Sequence, residues 1–339
     1  MQRIMKCSIV IRAYNEAKHI GKLLVGLSNQ SLMPHEVILV DSGSTDDTVA
    51  IAREFGVKVV PIDKRAFTFG RALNMGCAAA TGDILVFVSA HVYPKHRHWL
   101  ADLVEPFSEP NVVLSYGKQR GNELNHYSEH QIFAKWFPND SALPQRSYFC
   151  NNANTAIRRS EWERRPYDEM LTGLEDLDWA KKAQAEGGWI AYVAEAEIIH
   201  VHEESWATVR NRYRREALAM RRIDDTASFG ILDFLRLLPA NILNDLWHAF
   251  AEKKLLAEMK SIILFRYNQM AGTYAGYSGP NEVSDELRRR FYFPVSRAEK
   301  NGQSGREAAE ELDYDALMKA PERYNFERDE AELRRQPRH

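Results

Sequence analysis

The sequence predicts an α/β fold in which a mainly parallel central sheet is flanked by helices. Two observations support this: four short, almost continuously apolar runs end in turns, and segments with helical spacing of apolar residues separate them. The runs are 7–13, 36–43, 57–62 and 84–89. Apolar strands that alternate with helices are typical of a parallel sheet buried on both faces. Ligands of such sheets bind at the carboxyl ends of the strands, so the residues after these runs are expected at one edge.

The helices are predicted from their spacing and their end signals. Residues 16–27 form the first helix, and "STDDTVAIAREFG" (44–56) forms the second, with a Ser or Thr cap, two aspartates in the first turn and a glycine at its end. "FGRALNMGCAAATG" is the third. The middle of the chain is mixed, with helices near 96–108 and at "LEDLDWAKKAQAEG" and strands at "NVVLSYGK" and "EIIHVH".

These patterns divide the chain into three parts. Residues 1–222 are predicted to form the α/β domain, and 223–280 a C-terminal helical region rich in Leu, Ile, Phe and Trp. Residues 281–339 are rich in Arg, Lys and Glu, which predicts a loosely ordered tail.

Composition limits the classes of function. A formal net charge of −2 over 339 residues gives no sign of a nucleic-acid partner. Three cysteines that lie far apart in the sequence fit neither a disulfide framework nor a metal knuckle. No stretch approaches the roughly 20 apolar residues of a bilayer span, and the first residues show no leader pattern. We therefore expect a cytoplasmic protein, with peripheral contact to the inner face of the cell membrane left open.

Four segments carry a specific resemblance. No G-x-G-x-x-G follows the first strand, and the chain has no Walker lysine motif. Instead "SIVIRAYNE", "VILVDSGSTDDT", "GRALNMGCAAATGDILVFVSAH" and "GLEDLDWA" occur in that order. Together they resemble the family 2 glycosyltransferases of the GT-A fold, over residues from about 6 to 220. The resemblance implies transfer of a sugar from a nucleotide diphospho-sugar with inversion at the anomeric carbon.

The first two segments are expected to bind the nucleotide. Asp41 ends a buried strand, where its carboxylate could accept hydrogen bonds from a base or a ribose; the alternative is that it bonds only its own turn. The residues that would flank the same base are Ala13, Tyr14 and Glu16. Arg12 stands where the family often has proline.

A pair of side chains on the third helix is expected near the same ligand. Arg71 and Asn74 lie one turn apart, and the guanidinium could bind a diphosphate or cover the base. The alternative is a surface arginine paired with a neighbouring acid.

The acid-rich helix start at residues 173–178 offers a catalytic base. Acids there complement the helix dipole in any protein. In the resembling family the aspartate of the Glu-Asp pair is such a base, which corresponds to Asp176; it would deprotonate the acceptor hydroxyl. Glu175 would orient the acceptor, and Asp178 is predicted to be structural.

The strand "ILVFVS" departs from the family, in which it ends in Asp-x-Asp and holds a divalent cation. Here the triplet is Ser89-Ala90-His91, which is expected near the sugar and diphosphate. Imidazole suits ions such as Mn²⁺ or Zn²⁺ better than Mg²⁺. His91 could share a metal (Mn²⁺ or Mg²⁺) with the late histidine of the family, for which His202 is the first choice and His200 the second. The other two interpretations are a metal-independent enzyme and an inactive site.

Two further features bear on partners. The arginines of the helix "EESWATVRNRYRREALAM" are interpreted by default as a solvent-exposed basic face. A role in binding the diphosphate or an anionic acceptor is left open. The C-terminal helices would pack on the catalytic domain, form a homo-oligomer or touch a membrane surface.

We therefore expect an inverting glycosyltransferase of surface polysaccharide synthesis. Its donor would be a nucleotide diphospho-sugar, with UDP favoured and dTDP or GDP left open, and its acceptor a hydroxyl of a glycan or lipid-linked glycan. The alternatives are a catalytically silent nucleotide-sugar-binding partner protein and a sugar nucleotidyltransferase.

Overall fold

The structure is a computed structural model that describes residues 5–279, 311–319 and 324–327. Within these ranges eight strands form one sheet with the order β3-β2-β1-β4-β7-β6-β8-β5. The strands are β1 (Cys7–Ala13), β2 (Glu36–Asp41), β3 (Lys58–Pro61), β4 (Ile84–Ser89), β5 (Val92–Pro94), β6 (Val112–Arg120), β7 (Asn154–Arg158) and β8 (Trp189–His200). The helices are α1 (Ala17–Ser28), α2 (Thr48–Glu54), α3 (Phe69–Ala79), α4 (Trp99–Val104), α5 (Tyr127–Trp136), α6 (Arg159–Arg164), α7 (Glu175–Ala185), α8 (Trp206–Ile223), α9 (Ile231–Ala251), α10 (Leu255–Ser278) and α11 (Tyr314–Lys319).

The predicted α/β fold with a mainly parallel sheet is confirmed. Strand β1 runs parallel to β2 and β4, β2 to β3, and β6 to β8; β7 is antiparallel to β4 and β6, and β5 to β8. The register pairs Ala13 with Asp41 and Arg12 with Ser89. The carboxyl ends of β1, β2 and β4 therefore meet at one edge, where the candidate residues were expected.

Alternation along the strands builds a core layer on each face of the sheet. Ile9 and Ile11 pack in one layer, with α1 and α4, whereas Val10 packs in the other, with α3 and α7. Full burial of such an aliphatic side chain contributes roughly 1.5–3 kcal/mol relative to an exposed position. Both faces of the central strands are therefore covered, which is why their sequences are apolar throughout.

The C-terminal helices form a second packed unit beside the sheet. Helix α10 packs along α8, and α9 packs on α10. Arg266 of α10 donates two hydrogen bonds to the buried Asp245 of α9, at 2.7 and 2.9 Å. Within the described ranges, none of the helices is both long enough and apolar enough to cross a bilayer.

The expectation of a loosely ordered tail is wrong for two of its segments. Tyr314 of α11 is buried and donates a hydrogen bond from its hydroxyl to the Pro94 carbonyl at 2.6 Å. The backbone of Phe326 donates to the Phe55 carbonyl at 2.8 Å. These segments carry large apolar residues, Leu317, Tyr324 and Phe326, that pack in the core layer of α1 and α2. The other residues of 281–339 lie outside the described ranges.

Candidate active site

The turn after β2 is organised by Asp41. Its Oδ2 accepts hydrogen bonds from the backbone N–H groups of Gly43 and Ser44, both at 3.1 Å. Gly43 has φ +84°, a conformation that glycine adopts without strain. The alternative in which Asp41 holds its own turn is thus realised. A carboxylate has about four acceptor sites, so a ligand hydrogen bond remains compatible with these contacts.

The turn after β1 is cross-linked to the turn after β2. Asn15 has φ +55°, and its Oδ1 accepts a hydrogen bond from the N–H of Thr45 at 2.8 Å. Ala13 is buried in the core, so only its backbone can face a ligand. Tyr14 is half-buried, and the Lys64 ammonium lies 4.1 Å from its ring centroid. A base-flanking role for Tyr14 stays a prediction.

Arg71 and Asn74 are engaged in a network with the loop before α7. The Arg71 Nε atom donates to Glu169 at 2.7 Å, as in the surface-pair alternative. Asn74 donates to Glu169 and to the Tyr167 carbonyl, and it accepts from the Trp162 indole at 3.0 Å. These contacts tie α3 to residues 162–169, and they occupy Asn74 on both its oxygen and its nitrogen.

The acid pair Glu175 and Asp176 lies at the start of α7, directly after Leu174, which adopts φ +55°. Both acids are buried, with 4% and 7% exposure. Asp176 accepts hydrogen bonds from the backbone N–H of Asn152 at 2.8 Å and of Leu177 at 2.9 Å. Burial and the neighbouring Glu175 charge raise the pKa of Asp176 to about 7. A carboxyl group with such a pKa is suited to accept a proton near neutral pH.

Arg12 connects this acid pair to the edge of the sheet. Its guanidinium lies 2.9 Å from Glu175 Oε1 and 4.9 Å from the centre of the Phe69 ring. The guanidinium of Arg215, from α8, lies 4.7 Å from the same ring centre. Sequence reasoning noted Arg12 only as a departure from the family pattern. The structure makes it the cation that faces the acid pair.

Three histidines from two strand ends form a cluster. His91 follows β4, His200 ends β8, and His202 follows β8; one ring nitrogen from each lies within 4.8 Å of the others. The Nε2 atoms of His200 and His202 are 2.9 Å apart, and the rings of His91 and His200 stack with centroids 5.2 Å apart. The sequence-based pairing of His91 with His202 is therefore a true juxtaposition, and His200 joins it.

Each Nδ1 atom of the cluster has a side-chain oxygen partner. His91 Nδ1 lies 2.8 Å from Glu16 Oε1, His200 Nδ1 lies 2.8 Å from Gln119 Oε1, and His202 Nδ1 lies 2.7 Å from Glu129 Oε1. Outer hydrogen bonds of this kind orient metal-binding histidines and set their tautomers. Glu16, for which a position beside the base stays a prediction, contacts His91.

The charges around the cluster explain its titration. Burial opposes ionisation of Glu129, but His202 and the Arg212 guanidinium hold its pKa well below the usual range. Burial, together with the other two imidazoles, lowers the pKa of His200 well below its usual value. Burial also disfavours protonation of His91, but Glu16 outweighs it and raises the pKa of that imidazole. The cluster therefore contains a neutral imidazole, His200, and an ionised carboxylate, Glu129.

The residues present fit a divalent cation. Three imidazoles with oriented Nδ1 atoms are a donor set for Mn²⁺, Zn²⁺ or a similar ion rather than for Mg²⁺. Glu129, His202 and Glu204 form a second group of ligand atoms within 4.8 Å, but Arg212 pairs with both carboxylates at 2.7 Å. Ala90 is buried in the core, and Ser89 is half-buried at the end of β4; their place near a diphosphate stays a prediction.

Besides Glu129, sequence reasoning missed two more polar side chains of the site. Gln119 lies on β6, and no short motif marks it. Asn152 is 3% exposed and precedes β7; neither its Oδ1 nor its Nδ2 has a hydrogen-bond partner among the described residues. Its backbone N–H holds the Asp176 carboxylate, so this unpaired amide belongs to the residue that positions the candidate base. The sequence signal for Asn152 is the "CNNANTA" stretch, in which three asparagines precede or begin a buried strand.

Comparisons with known proteins agree with this geometry. Residues 8–164 match the family model described as glycosyl transferase family 2. The O-antigen chain rhamnosyltransferase RfbN of Salmonella typhimurium is 26% identical over 225 residues, which are 62% of this chain and 70% of that protein. The O-antigen chain rhamnosyltransferase WbaN of Salmonella anatum is 28% identical over 200 residues, 55% of this chain and 62% of that protein. The chain thus spans less than two thirds of WbaN.

Solved structures share the fold. The mannosyltransferase PcManGT of Pyrobaculum calidifontis, solved with GDP-mannose and Mn²⁺, superimposes with a TM-score of 0.56 at 18% identity, covering 81% of this chain and 88% of that one. The predicted GT-A architecture with an added helical region is confirmed. The chain therefore has the GT-A fold, and its residues 8–164 are similar to the glycosyltransferases of family 2.

Proposed function

We propose that this glycosyltransferase moves a sugar, with inversion, from a nucleotide diphospho-sugar to a hydroxyl of a glycan or lipid-linked glycan in surface polysaccharide synthesis. UDP is the nucleotide we favour. The names of the two O-antigen relatives support a polysaccharide product. The complex of PcManGT with GDP-mannose and Mn²⁺ supports a nucleotide-sugar donor bound with a divalent ion.

The ion pair between Arg12 and Glu175 carries this proposal. It holds the buried acid pair at the carboxyl end of β1, the edge that also bears Asp41 and His91. A nucleotide at Asp41 and a diphosphate near His91 would then lie beside Asp176. Inverting transfer needs this order of groups, because the base must activate the acceptor at the face opposite the leaving diphosphate.

Each group has a defined task in the reaction. Asp176 takes the proton of the acceptor hydroxyl as the hydroxyl attacks the anomeric carbon, and Glu175, neutralised by Arg12, orients the acceptor. The amide of Asn152 donates to or accepts from a sugar or acceptor hydroxyl. A divalent cation held by His91, His200 and His202 would neutralise charge on the leaving diphosphate. Asp41 and Tyr14 hold the nucleoside.

The test is a panel of UDP-, dTDP- and GDP-sugars scored for binding and for slow donor hydrolysis. Each donor is measured with Mg²⁺, with Mn²⁺ and with chelator. We expect one nucleotide class to bind, and its sugar to be released only by a chain with an intact Asp176.

Two outcomes would contradict the proposal. Tight nucleotide-sugar binding without hydrolysis or transfer on any acceptor would identify a silent binding partner. Formation of a nucleotide sugar from a sugar phosphate and a nucleoside triphosphate, with pyrophosphate release, would identify a nucleotidyltransferase.

A further inference from the structure

Helix α9 carries apolar side chains on its packed face and on its exposed face. The packed face places Ile242, Leu246 and Ala249 of α9 against Tyr127 of α5 and Ile262 of α10. The outer face carries a second apolar stripe that the described residues leave uncovered. A surface helix normally turns its apolar residues to the core and polar residues to solvent, so this stripe is expected to have a partner.

The outer face, as we name it, comprises exposed apolar side chains of α9 and α10. Leu256 is 91% exposed, Leu232 78% and Trp247 69%. The full set is Ile231, Leu232, Leu235, Leu243, Trp247, Phe250, Leu256, Met259, Ile263 and Tyr267.

The size of this surface exceeds what a monomer normally leaves open. The exposed fractions add up to about six complete side chains, on the order of 1,000 Å² of apolar surface. The largest apolar patch of a typical monomer is roughly 300–600 Å². A standard protein interface buries about 800 Å² on each partner. The outer face is therefore large enough for a stable dimer.

The charge pattern favours a protein partner over a lipid surface. Among the exposed residues of α9, Arg236 is the single one with a formal charge, and it lies 3.5 Å from Asp233. Basic residues near the α9–α10 turn are offset by acids, as in the pair Lys254–Glu252 at 3.1 Å. Helices that lie on anionic membranes carry a polar face rich in Lys and Arg, which α9 lacks.

The spacing of the stripe is symmetric along the helix. Counting the exposed Pro239, its members are residues 232, 235, 239, 243, 247 and 250, at intervals of 3, 4, 4, 4 and 3. Two antiparallel copies of α9 that cross near residue 241 therefore place Leu232 opposite Phe250, Leu235 opposite Trp247 and Pro239 opposite Leu243. A two-fold interface requires such self-complementarity.

We propose that the outer face binds the same face of a second copy of this chain, with the two α9 helices antiparallel. The dimer would form through the exposed sides of α9 and α10. Its formation does not depend on which donor or acceptor the enzyme uses.

The test is the mass of the full chain by sedimentation equilibrium over a range of micromolar concentrations. We expect a dimer, and we expect Leu235→Glu with Trp247→Glu to give a monomer with an unchanged circular dichroism spectrum. Met170→Glu, which replaces a 61% exposed apolar side chain outside the outer face, is the matched control and should stay dimeric.

A second variant tests the orientation. Pro239→Cys with Leu243→Cys should cross-link two chains under mild oxidation, because the antiparallel arrangement places residue 239 of one chain opposite residue 243 of the other. The three native cysteines are buried and do not compete. A wild-type chain that is monomeric at every concentration would overturn the proposal. So would a dimer that survives the double Glu substitution, or a monomer that floats with vesicles of anionic lipid.

Discussion

The Nε2 atoms of His200 and His202 lie 2.9 Å apart, while the Nδ1 atom of each ring faces a side-chain oxygen. Glu129 is ionised, so His202 donates its Nδ1 hydrogen to that carboxylate. If His200 donates in the same way to Gln119 Oε1, both Nε2 atoms present lone pairs to each other. Two facing lone pairs need a shared cation. Burial disfavours a proton there, since it lowers the pKa of His200, and a metal ion satisfies both nitrogens at once.

Metal binding is accordingly predicted to depend on this pair. His202→Ala removes a ligand, the ring that Glu129 orients. We expect the affinity for Mn²⁺ or Zn²⁺ to fall by at least about tenfold, because the loss of an outer-shell partner alone lowers metal affinity by about that factor. Titration calorimetry of the purified chain with each ion measures this. His98→Ala, an exposed histidine at the start of α4, is the control. Equal affinity in all three proteins would show that the cluster is not the metal site.

Gln119 offers a complementary test of the same arrangement. Gln119→Leu removes the oxygen that orients His200 but leaves all three rings, so metal affinity should fall about 10-fold to 100-fold while the fold persists. Calorimetry and the thermal midpoint separate the two effects. An unchanged affinity would mean that His200 is not oriented for a cation.

Asp176→Asn is predicted to lower turnover by about 10²-fold to 10⁴-fold, the usual contribution of a general base. Nucleotide binding should remain, because Asp41 and Tyr14 lie on other turns. Transfer assays and equilibrium binding on the same preparation measure the two quantities. Asp178→Asn, in the same helix turn but paired with Lys182, is the matched control. A near-normal rate for Asp176→Asn would remove this residue from the mechanism.

Much of the fold could be predicted because burial on both faces of the sheet leaves a continuous apolar signature. The boundaries of β1 matched the sequence pattern, Cys7–Ala13, since every position from 7 to 11 is buried. The start of α2 did not match the sequence pattern. Ser44 and Thr45, expected to cap that helix, bond Asn15 across the gap between two turns, and the helix begins at Thr48. A tertiary contact took the capping groups, and local sequence does not reveal such a competition.

The residues of the site that lie within a sequence motif could be predicted. Those that reach the site only through the tertiary structure could not. His91, His202 and Asp176 each lie in a recognisable segment. Gln119 beside His200, Glu129 beside His202 and Arg12 beside Glu175 come from β6, α5 and β1, and only the tertiary fold brings them to the site. Helical periodicity places Arg212 apart from the other arginines of α8, but it does not show which face of the helix meets the histidines. Its selection comes from packing against Glu129 and Glu204.

Asn152 is predicted to bind a hydroxyl of the donor sugar or of the acceptor. Its unpaired amide is buried in the free chain, a state that costs about 1–3 kcal/mol and that a ligand hydrogen bond would relieve. Asn152→Ala should lower kcat/KM about tenfold without loss of thermal stability. Asn151→Ala is the control, because Asn151 Oδ1 accepts from Ala153 N–H and its loss should affect stability instead. A destabilised Asn152→Ala chain with normal kcat/KM would assign the amide a purely structural role.

The last prediction concerns pH and Arg12. The base must be deprotonated to act, and the pKa of Asp176 is raised to about 7, so kcat/KM should fall as the pH decreases through that value. The Arg12 guanidinium favours the charged form of the acid pair and so lowers this pKa. Arg12→Gln removes that cation and should shift the acidic limb of the pH–rate profile to higher pH. Arg12→Lys keeps the charge and should leave the limb near its wild-type position. If Arg12→Gln lowers the rate equally at every pH, Arg12 acts by holding Glu175 in place and not through its charge on Asp176.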